Sequence, residues 1–353
     1  MDFGTALILV TGASGWLGFS LVEALVKGLT NCQSLSKPDP NLRLRCLILP
    51  DQDPSPLQNL SQKIEIITGD LRDPKICAQF CANAKDAILF HTAGIIHPQK
   101  VSEFYHVNLE GTKNLIDAAI ANKVKRAIIV SSNSPCGCNP HADHLFDESS
   151  PYHPYMNYGK SKMQMELAIK RRQDQIETVI VRAPWFYGEN QPPRQTLFFQ
   201  MIRNGKAPIV GDGNNRRSMA YIGNLCQGLI LATITARARG ETYWIADAHA
   251  YTMNQIVDTV EKLLEEEFQQ VCKHGRLKLP GFVSEIALFA DATLQNLGIY
   301  QQKIHVLSEM NKTIACSIAK AQRDLGYKPE FDLEQGMRAS LQWLFNKNPQ
   351  ALD

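Results

Sequence analysis

The chain has 353 residues, 44% hydrophobic and 20% charged, with a formal net charge of +2 at pH 7. That length exceeds a typical single domain and calls for one large α/β domain with an appendage or for two unequal domains. A balanced charge without long basic runs removes the electrostatic reason to expect nucleic acid as a partner. The opening MDFGTALILVTG has no basic segment before its apolar run and no small-residue cleavage site after it. The run is too short for a bilayer and reads as a buried strand, so no transmembrane segment and a cytoplasmic location are expected. Nine cysteines, an odd number that includes Cys77 with Cys81 and Cys136 with Cys138, show no paired zinc-type spacing. They fit reduced thiols acting as small buried hydrophobes, and no metal site is expected.

In chain order, the first strand ALILVTG runs into TGASGWLG and then the helical stretch LGFSLVEALVKGL. Gly12, Gly15 and Gly18 sit where backbone must turn sharply and approach a pyrophosphate, with the helix N-terminus offering amides. Their spacing, three residues then three, differs from the commoner G-x-G-x-x-G. The second strand, RLRCLIL, ends in LILPDQD. Asp51 is the candidate for the adenosine ribose, and Leu49 stands where an NADP-type arginine could have been; an ordinary turn of Pro, Asp and Ser is the equal alternative. NAD is therefore expected, with NADP possible.

The third strand, KIEIIT, leads into GDLRD, where Asp70 either holds the adenine amino group or caps the helix beginning near Asp73, PKICAQFCANA. DAILFHTA ends in HTAG, which includes Gly94, at the rim where parallel sheets bind ligands. A helix, FYHVNLEGTKNLIDAAIANK, separates it from KRAIIVSS, which ends in Ser131 and Ser132; neither serine lies in a G-x-S-x-G elbow. The helix YMNYGKSKMQMELAIKRRQ and the sixth strand, ETVIVRAP, complete the alternation. Strands and helices in this order predict an α/β fold with a doubly wound, Rossmann-type parallel sheet. Residues 1–182 are expected to bind NAD(P), and 183–353 to be mainly a smaller substrate-binding region with some segments returning to the sheet.

After Pro184 the pattern loosens. Loops rich in Pro, Gly and Asn, GENQPPRQT and GDGNNRRS, separate short helices, and such irregular parts usually shape the ligand pocket. Trp185, Phe186 and Tyr187 could wall that pocket or simply pack. His97 and Arg194 fit surface loops better than pocket walls. LPGFVSEIALFADATLQNLGIY is apolar enough for a core or lid helix; a membrane-surface helix is the lesser alternative because it carries no Lys or Arg. No internal repeat or low-complexity tract is present.

YGKSK places Tyr158 and Lys162 at i and i+4, on one helix face. Alone this pair is most often ordinary surface chemistry. The series TGASGWLG, GDL, HTAG, VSS, YGKSK and VRAPWFYG, in this order, resembles the extended short-chain dehydrogenase/reductase superfamily. The resemblance covers essentially the whole chain, including SIAKAQRDLGYKPEFDLEQGM, similar to the tail of NAD-dependent epimerases and 3β-hydroxysteroid dehydrogenases. It implies that Tyr158 is the acid/base, that Lys162 binds the nicotinamide ribose and lowers the tyrosine pKa, and that Ser132 orients the substrate oxygen. It further implies cofactor contacts at Gly12, Ser14, Gly15, Trp16, Leu17, Gly18, Asp51, Asp70, Leu71, Thr92, Ala93, Gly94, Ser131, Tyr158, Lys162 and Pro184, substrate contacts at Asn133, Tyr187 and Arg217, and a homodimer.

A tyrosine must be lowered by about three units to act as a base at neutral pH, roughly 4 kcal/mol of differential stabilisation. A neighbouring ammonium and an oxidised nicotinamide both push that way. Related dehydratases carry an Asp-Glu pair just after the catalytic Thr or Ser, where this chain has Asn133 and Ser134, neither able to exchange a proton readily. Arg217 resembles the phosphate-binding arginine of sugar-nucleotide epimerases. Gly223 and Asn224, by contrast, resemble the YVGN segment of 3β-hydroxysteroid dehydrogenases, and Leu279 to Tyr300 resembles the insertion that covers bulky, apolar substrates. The preferred reading is a dehydrogenase or reductase acting on a hydroxyl or ketone of a lipid-like or ring substrate. A sugar-nucleotide epimerase and a non-catalytic cofactor-binding regulator are the alternatives.

Overall fold

The structure, a computed structural model, describes residues 1, 3–4, 6–30 and 32–352. The strands are β1 (Leu7–Thr11), β2 (Arg43–Ile48), β3 (Glu65–Thr68), β4 (Ile88–His91), β5 (Arg126–Ser132), β6 (Glu177–Ala183), β7 (Trp185–Tyr187), β8 (Ala207–Val210), β9 (Arg216–Tyr221), β10 (Thr242–Trp244), β11 (Ala250–Thr252) and β12 (Arg276–Leu279). The helices are α1 (Trp16–Lys27), α2 (Ser55–Leu60), α3 (Pro74–Phe80), α4 (Val101–Glu103), α5 (Thr112–Ala121), α6 (Met156–Lys170), α7 (Pro193–Arg203), α8 (Ile222–Ile234), α9 (Met253–Glu266), α10 (Phe282–Asn296), α11 (Gln302–Glu309), α12 (Ala319–Leu325) and α13 (Leu333–Lys347).

The six strands expected from the sequence lie in one parallel sheet of order β10-β6-β5-β4-β1-β2-β3. Period-two alternation explains why both faces are covered. In β1, Ile8 and Val10 join one apolar cluster with Leu21 of α1 and Leu229 of α8, whereas Leu7 and Leu9 join another with Phe80 of α3, Leu115 of α5 and Met165 of α6. Each such side chain contributes about 1.5–3 kcal/mol when fully buried. The chain order reverses between β1 and β4, and that crevice at the carboxyl ends of the strands is where an open α/β sheet binds its ligand.

Three features depart from the sequence reading. A seventh strand, β10, adds to the sheet beside β6 from the second half of the chain. The helix expected over FYHVNLEGTKNLIDAAIANK begins as a π-helical stretch, Phe104–Gly111, before becoming α5. Asp73, not Asp70, caps α3, its carboxylate accepting from the Lys75 amide at 2.8 Å. Beyond the main sheet, β11, β9 and β7 form a three-stranded sheet and β12 pairs with β8. This part rests on α9 and α13, each opened by a capping box, at Thr252 with Gln255 and at Asp332 with Gln335.

Candidate functional site

At the switch point the glycine loop has little room for anything larger. Gly12 has φ +67° and an added Cβ would stand 2.8 Å from the Ala93 backbone; at Gly18 it would lie 2.0 Å from the Gly12 carbonyl oxygen. Gly15 is the N-cap of α1 and brings no capping side chain, so the first amides of that helix face the loop unaccompanied. Leu17 is buried beneath. A tight turn, small residues and an open helix N-terminus together fit a dinucleotide pyrophosphate. Thr92 donates to the Thr11 carbonyl at 2.7 Å, locking the end of β4 to that of β1 and holding Ala93 against Gly12. Trp16 donates its indole N–H to the Glu189 carbonyl at 2.6 Å and packs on Phe186, 4.8 Å between centroids, joining the loop to the segment after Pro184.

Past β2, Asp51 lies exposed in the turn. Gln52 is the side chain tied to the glycine loop: its Oε1 accepts from the Ser14 hydroxyl and, at 3.0 Å, from the Leu49 amide. Asp70 accepts from the Arg72 amide at 2.8 Å and forms an ion pair with its guanidinium at 2.6 Å; that hydrogen bonding holds the Asp70 carboxyl below its usual range. Leu71 is buried, its carbonyl accepting from Asn114. Nothing in the spacing singled out Gln52.

Helix α6 carries Tyr158 and Lys162 along the end of β5. The Tyr158 phenol is pushed up to about 12 by burial, against which its hydrogen bond with Ser132 acts downward and the nearby Glu309 carboxylate acts upward. Lys162, 5% exposed, donates to the Val130 carbonyl at 2.9 Å; burial draws its ammonium down to about 8, opposed by Glu166. An added Cβ on Gly94 would approach Lys162 Nζ to 3.7 Å, so the amine, Gly94 and the β5 rim share one place. Ser132 also bonds Asn133 and Ser134, each at 3.3 Å, and Asn133 is half-buried beside it.

Asn108 is a positioning residue the sequence reading missed. It lies in the π-helical stretch, accepts from the Ile95 amide at 2.8 Å, donates to the Ile95 carbonyl at 3.0 Å, and so clamps the backbone next to Gly94. A π-turn inside a helix often marks such a site, but it leaves no signature in apolar periodicity. His91, bridged between Thr11 (2.7 Å) and Thr112 (2.8 Å), is drawn down to about 3 by burial and is a neutral structural link.

Two expected contacts are differently placed. Tyr187 is fully buried, and its hydroxyl is used by the Asp247 carboxylate at 2.8 Å and the Asp332 carbonyl at 3.1 Å, so it is a core anchor and not a substrate contact. The Ser131 hydroxyl is committed to Glu166 at 2.6 Å, within the buried Glu166–Arg182 ion pair that also takes Tyr152. Arg217 is 9% exposed and donates to the backbone carbonyl of Glu309 at 2.5 Å, which brings it to the residue whose carboxylate bears on Tyr158. Its Nε, with Nε and Nη2 of Arg216, is buried without a partner among the described residues. Helix α10 does not present an apolar cover: its buried side chains include Ser284, Asp291 and Gln295, and the Gln295 amide oxygen accepts from the Asn157 backbone, next to Tyr158.

Among known proteins, the chain is 50% identical over 340 residues to y4nL, an uncharacterized protein of Sinorhizobium fredii, covering 96% of this chain and 94% of that one. It is 29% identical over 264 residues to the N-acetyl-alpha-D-glucosaminyl-diphospho-ditrans,octacis-undecaprenol 4-epimerase of Escherichia coli O157:H7, covering 74% and 73%. It is 27% identical over 361 residues to the decarboxylating sterol-4-alpha-carboxylate 3-dehydrogenase of Candida albicans, covering 96% and 97%. The fold is shared with a UDP-glucuronic acid 4-epimerase from Bacillus cereus, with a TM-score of 0.71 at 22% identity over 96% of this chain and 98% of that one. The family model for NAD-dependent epimerases and dehydratases matches residues 8–246, spanning the glycine loop, the Tyr158–Lys162 helix and the strands between them. The chain is an enzyme of the NAD-dependent epimerase/dehydratase family.

Proposed function

We propose that this enzyme oxidises and re-reduces a ring hydroxyl of a sugar carried on a diphosphate, through Ser132, Tyr158 and Lys162. Bound nicotinamide supplies the acceptance and return of hydride. Gly12, Gly15 and Gly18 hold the pyrophosphate on the α1 amides, with Ser14, Thr92 and Ala93 around it, Asp51 as the ribose candidate and Pro184 as a further cofactor contact at the end of β6. Tyr158 takes the hydroxyl proton as the carbonyl forms and returns it on reduction. Ser132 donates to the same oxygen, and the Lys162 ammonium favours the phenolate electrostatically. Because burial, chiefly, holds the Tyr158 phenol near 12, it reaches neutral pH only with added positive charge beside it. A homodimer through helices that include α6 follows from the family resemblance.

The single observation that carries the diphosphate is the buried Arg217, whose Nε has no partner among the described residues. Buried guanidinium N–H groups are costly to leave unmade, and phosphate oxygens match them. The second reading, a dehydrogenase of a lipid-like ring alcohol, is favoured by the similarity to the sterol dehydrogenase, which runs along 96% of the chain. Retention of Ser132, Tyr158 and Lys162 speaks against a regulator without catalysis.

Mass spectrometry of molecules retained by the purified protein, followed by nicotinamide absorbance with UDP-N-acetylglucosamine and with a 3β-hydroxysterol, separates the readings. Isomerised sugar without net NADH is expected; stoichiometric NADH from the sterol alone overturns the diphosphate reading. Tyr158→Phe is expected to leave NAD affinity nearly unchanged and to lower turnover at least about a hundredfold. Undiminished turnover removes Tyr158 from the reaction.

A further inference from the structure

Helix α10 is amphipathic with its sides reversed. Ser284, Asp291 and Gln295 are buried, whereas Phe282, Ile286 and Phe289 are 63%, 62% and 77% exposed and Leu297, just beyond the helix, is 71% exposed. At these spacings the four side chains fall on one stripe. The polar side is fixed from within: Asp291 holds His305 at 2.7 Å, Gln295 accepts from Asn157, and Ser284 donates to the Leu307 carbonyl at 2.9 Å. Turning the stripe inward would leave these groups unsatisfied, so the helix keeps its apolar side outward as a consequence of its own network.

The stripe offers roughly 500 Å², the size of the largest apolar patch on a typical monomer, which is often functional, and below the ~800 Å² per partner of a standard stable interface. The charges of this segment that have no ion-pair partner among the described residues are lysines. Between residues 273 and 306, Glu285 is paired with Lys312, His274 with Glu265, and Arg276 with Asp258 and Glu261. Lys273, Lys278 and Lys303 are exposed and have no acidic partner among the described residues. An exposed apolar stripe with Lys278 four residues before Phe282 and Lys303 on the helix packed beside it, α11, is complementary to an anionic phospholipid surface. No helix among the described residues is long and apolar enough to cross a membrane.

We propose that α10 seats the protein on the surface of an anionic bilayer, with Phe282, Ile286, Phe289 and Leu297 in the boundary between headgroups and acyl chains and the flanking lysines on the lipid phosphates. Through Gln295 and Asn157 the same helix braces the start of α6, so the bilayer seat adjoins the helix of Tyr158. The seat is independent of which substrate reading holds, and its test needs no turnover.

The test is sedimentation of the full chain with large vesicles of equal parts phosphatidylcholine and phosphatidylglycerol, beside vesicles of phosphatidylcholine alone. Co-sedimentation with the anionic vesicles is expected, weakened at least about tenfold in the Phe282→Ser/Phe289→Ser variant and again by Lys278→Glu/Lys303→Glu. Both pairs are exposed, and Phe289→Trp gives a second reading on an otherwise intact stripe: its fluorescence should shift to the blue with anionic vesicles. Absence of co-sedimentation, equal binding by wild type and the serine variant, or an unshifted spectrum of the Phe289→Trp variant each overturns the proposal. So does light scattering that finds a dimer abolished by Phe282→Ser/Phe289→Ser, which assigns the stripe to a second copy of the chain.

Discussion

Lys162, proposed to act with Tyr158, is an amine that burial works against. Burial lowers its ammonium to about 8 from its usual 10.5, so the charged form is disfavoured in the folded state. The sign follows from proton counts: between about 8 and 10.5 the unfolded chain binds more protons, so stability from this group rises with pH, and its cost is fully present below 8. Lys162→Met is therefore expected to stabilise the protein at pH 7 by about 1–2 kcal/mol while abolishing turnover, with the gain fading toward pH 10.5. Urea melts of both proteins at pH 7 and near pH 10 check this; a variant less stable at pH 7 contradicts it. The roles proposed for Tyr158 and Lys162 rest on the whole motif series, because their i, i+4 spacing alone carries little. Gln52 and Asn108 were not, because a lone amide becomes meaningful only when folding places it against a particular backbone group.

At the scale of elements, α6 is fastened to β5 and β6 by a buried charge network. Arg182 bonds both Glu166 oxygens, at 2.8 and 3.1 Å, and Ser131 and Tyr152 fill the remaining acceptor positions. With the pair at 2% and 0% exposure, solvent screening is small. Arg182→Met should leave Glu166 buried and uncompensated, at a cost of about 3–5 kcal/mol, and adding Glu166→Gln should restore part of it. Denaturant titration of the single and double variants checks the expectation; equal losses in both would place the effect in lost packing. The main-sheet strands were readable because their apolar runs are long and bounded. β10 is only three residues and joins the sheet from a distant part of the sequence, so nothing local marked it. The apolar content of α10 was equally plain, yet its direction was not: a buried network with His305 on the next helix and with Asn157, far along the chain, decides which side faces out.

For the whole molecule, the two halves meet at the glycine loop, where Trp16 bonds Glu189, so cofactor binding should stiffen both. NAD at a hundredfold excess over its dissociation constant is expected to add about 2.7 kcal/mol to stability, with a smaller gain from NADP at the same concentration. Thermal melts with each dinucleotide decide this, and a larger gain with NADP would refute the ribose role given to Asp51. Sequence alone determined the doubly wound sheet, the tight glycine turn before α1 and the place of Tyr158 and Lys162 on one helix, because period-two and helical patterns and the glycine requirement of a tight turn are local properties. Tertiary structure decided that Tyr187 belongs to the core, that Ser131 serves an ion pair, that Arg216 and Arg217 keep unpartnered nitrogens, and that α10 turns its apolar side outward. Each of those depends on which distant polar group a side chain meets, and a one-dimensional pattern does not encode that meeting.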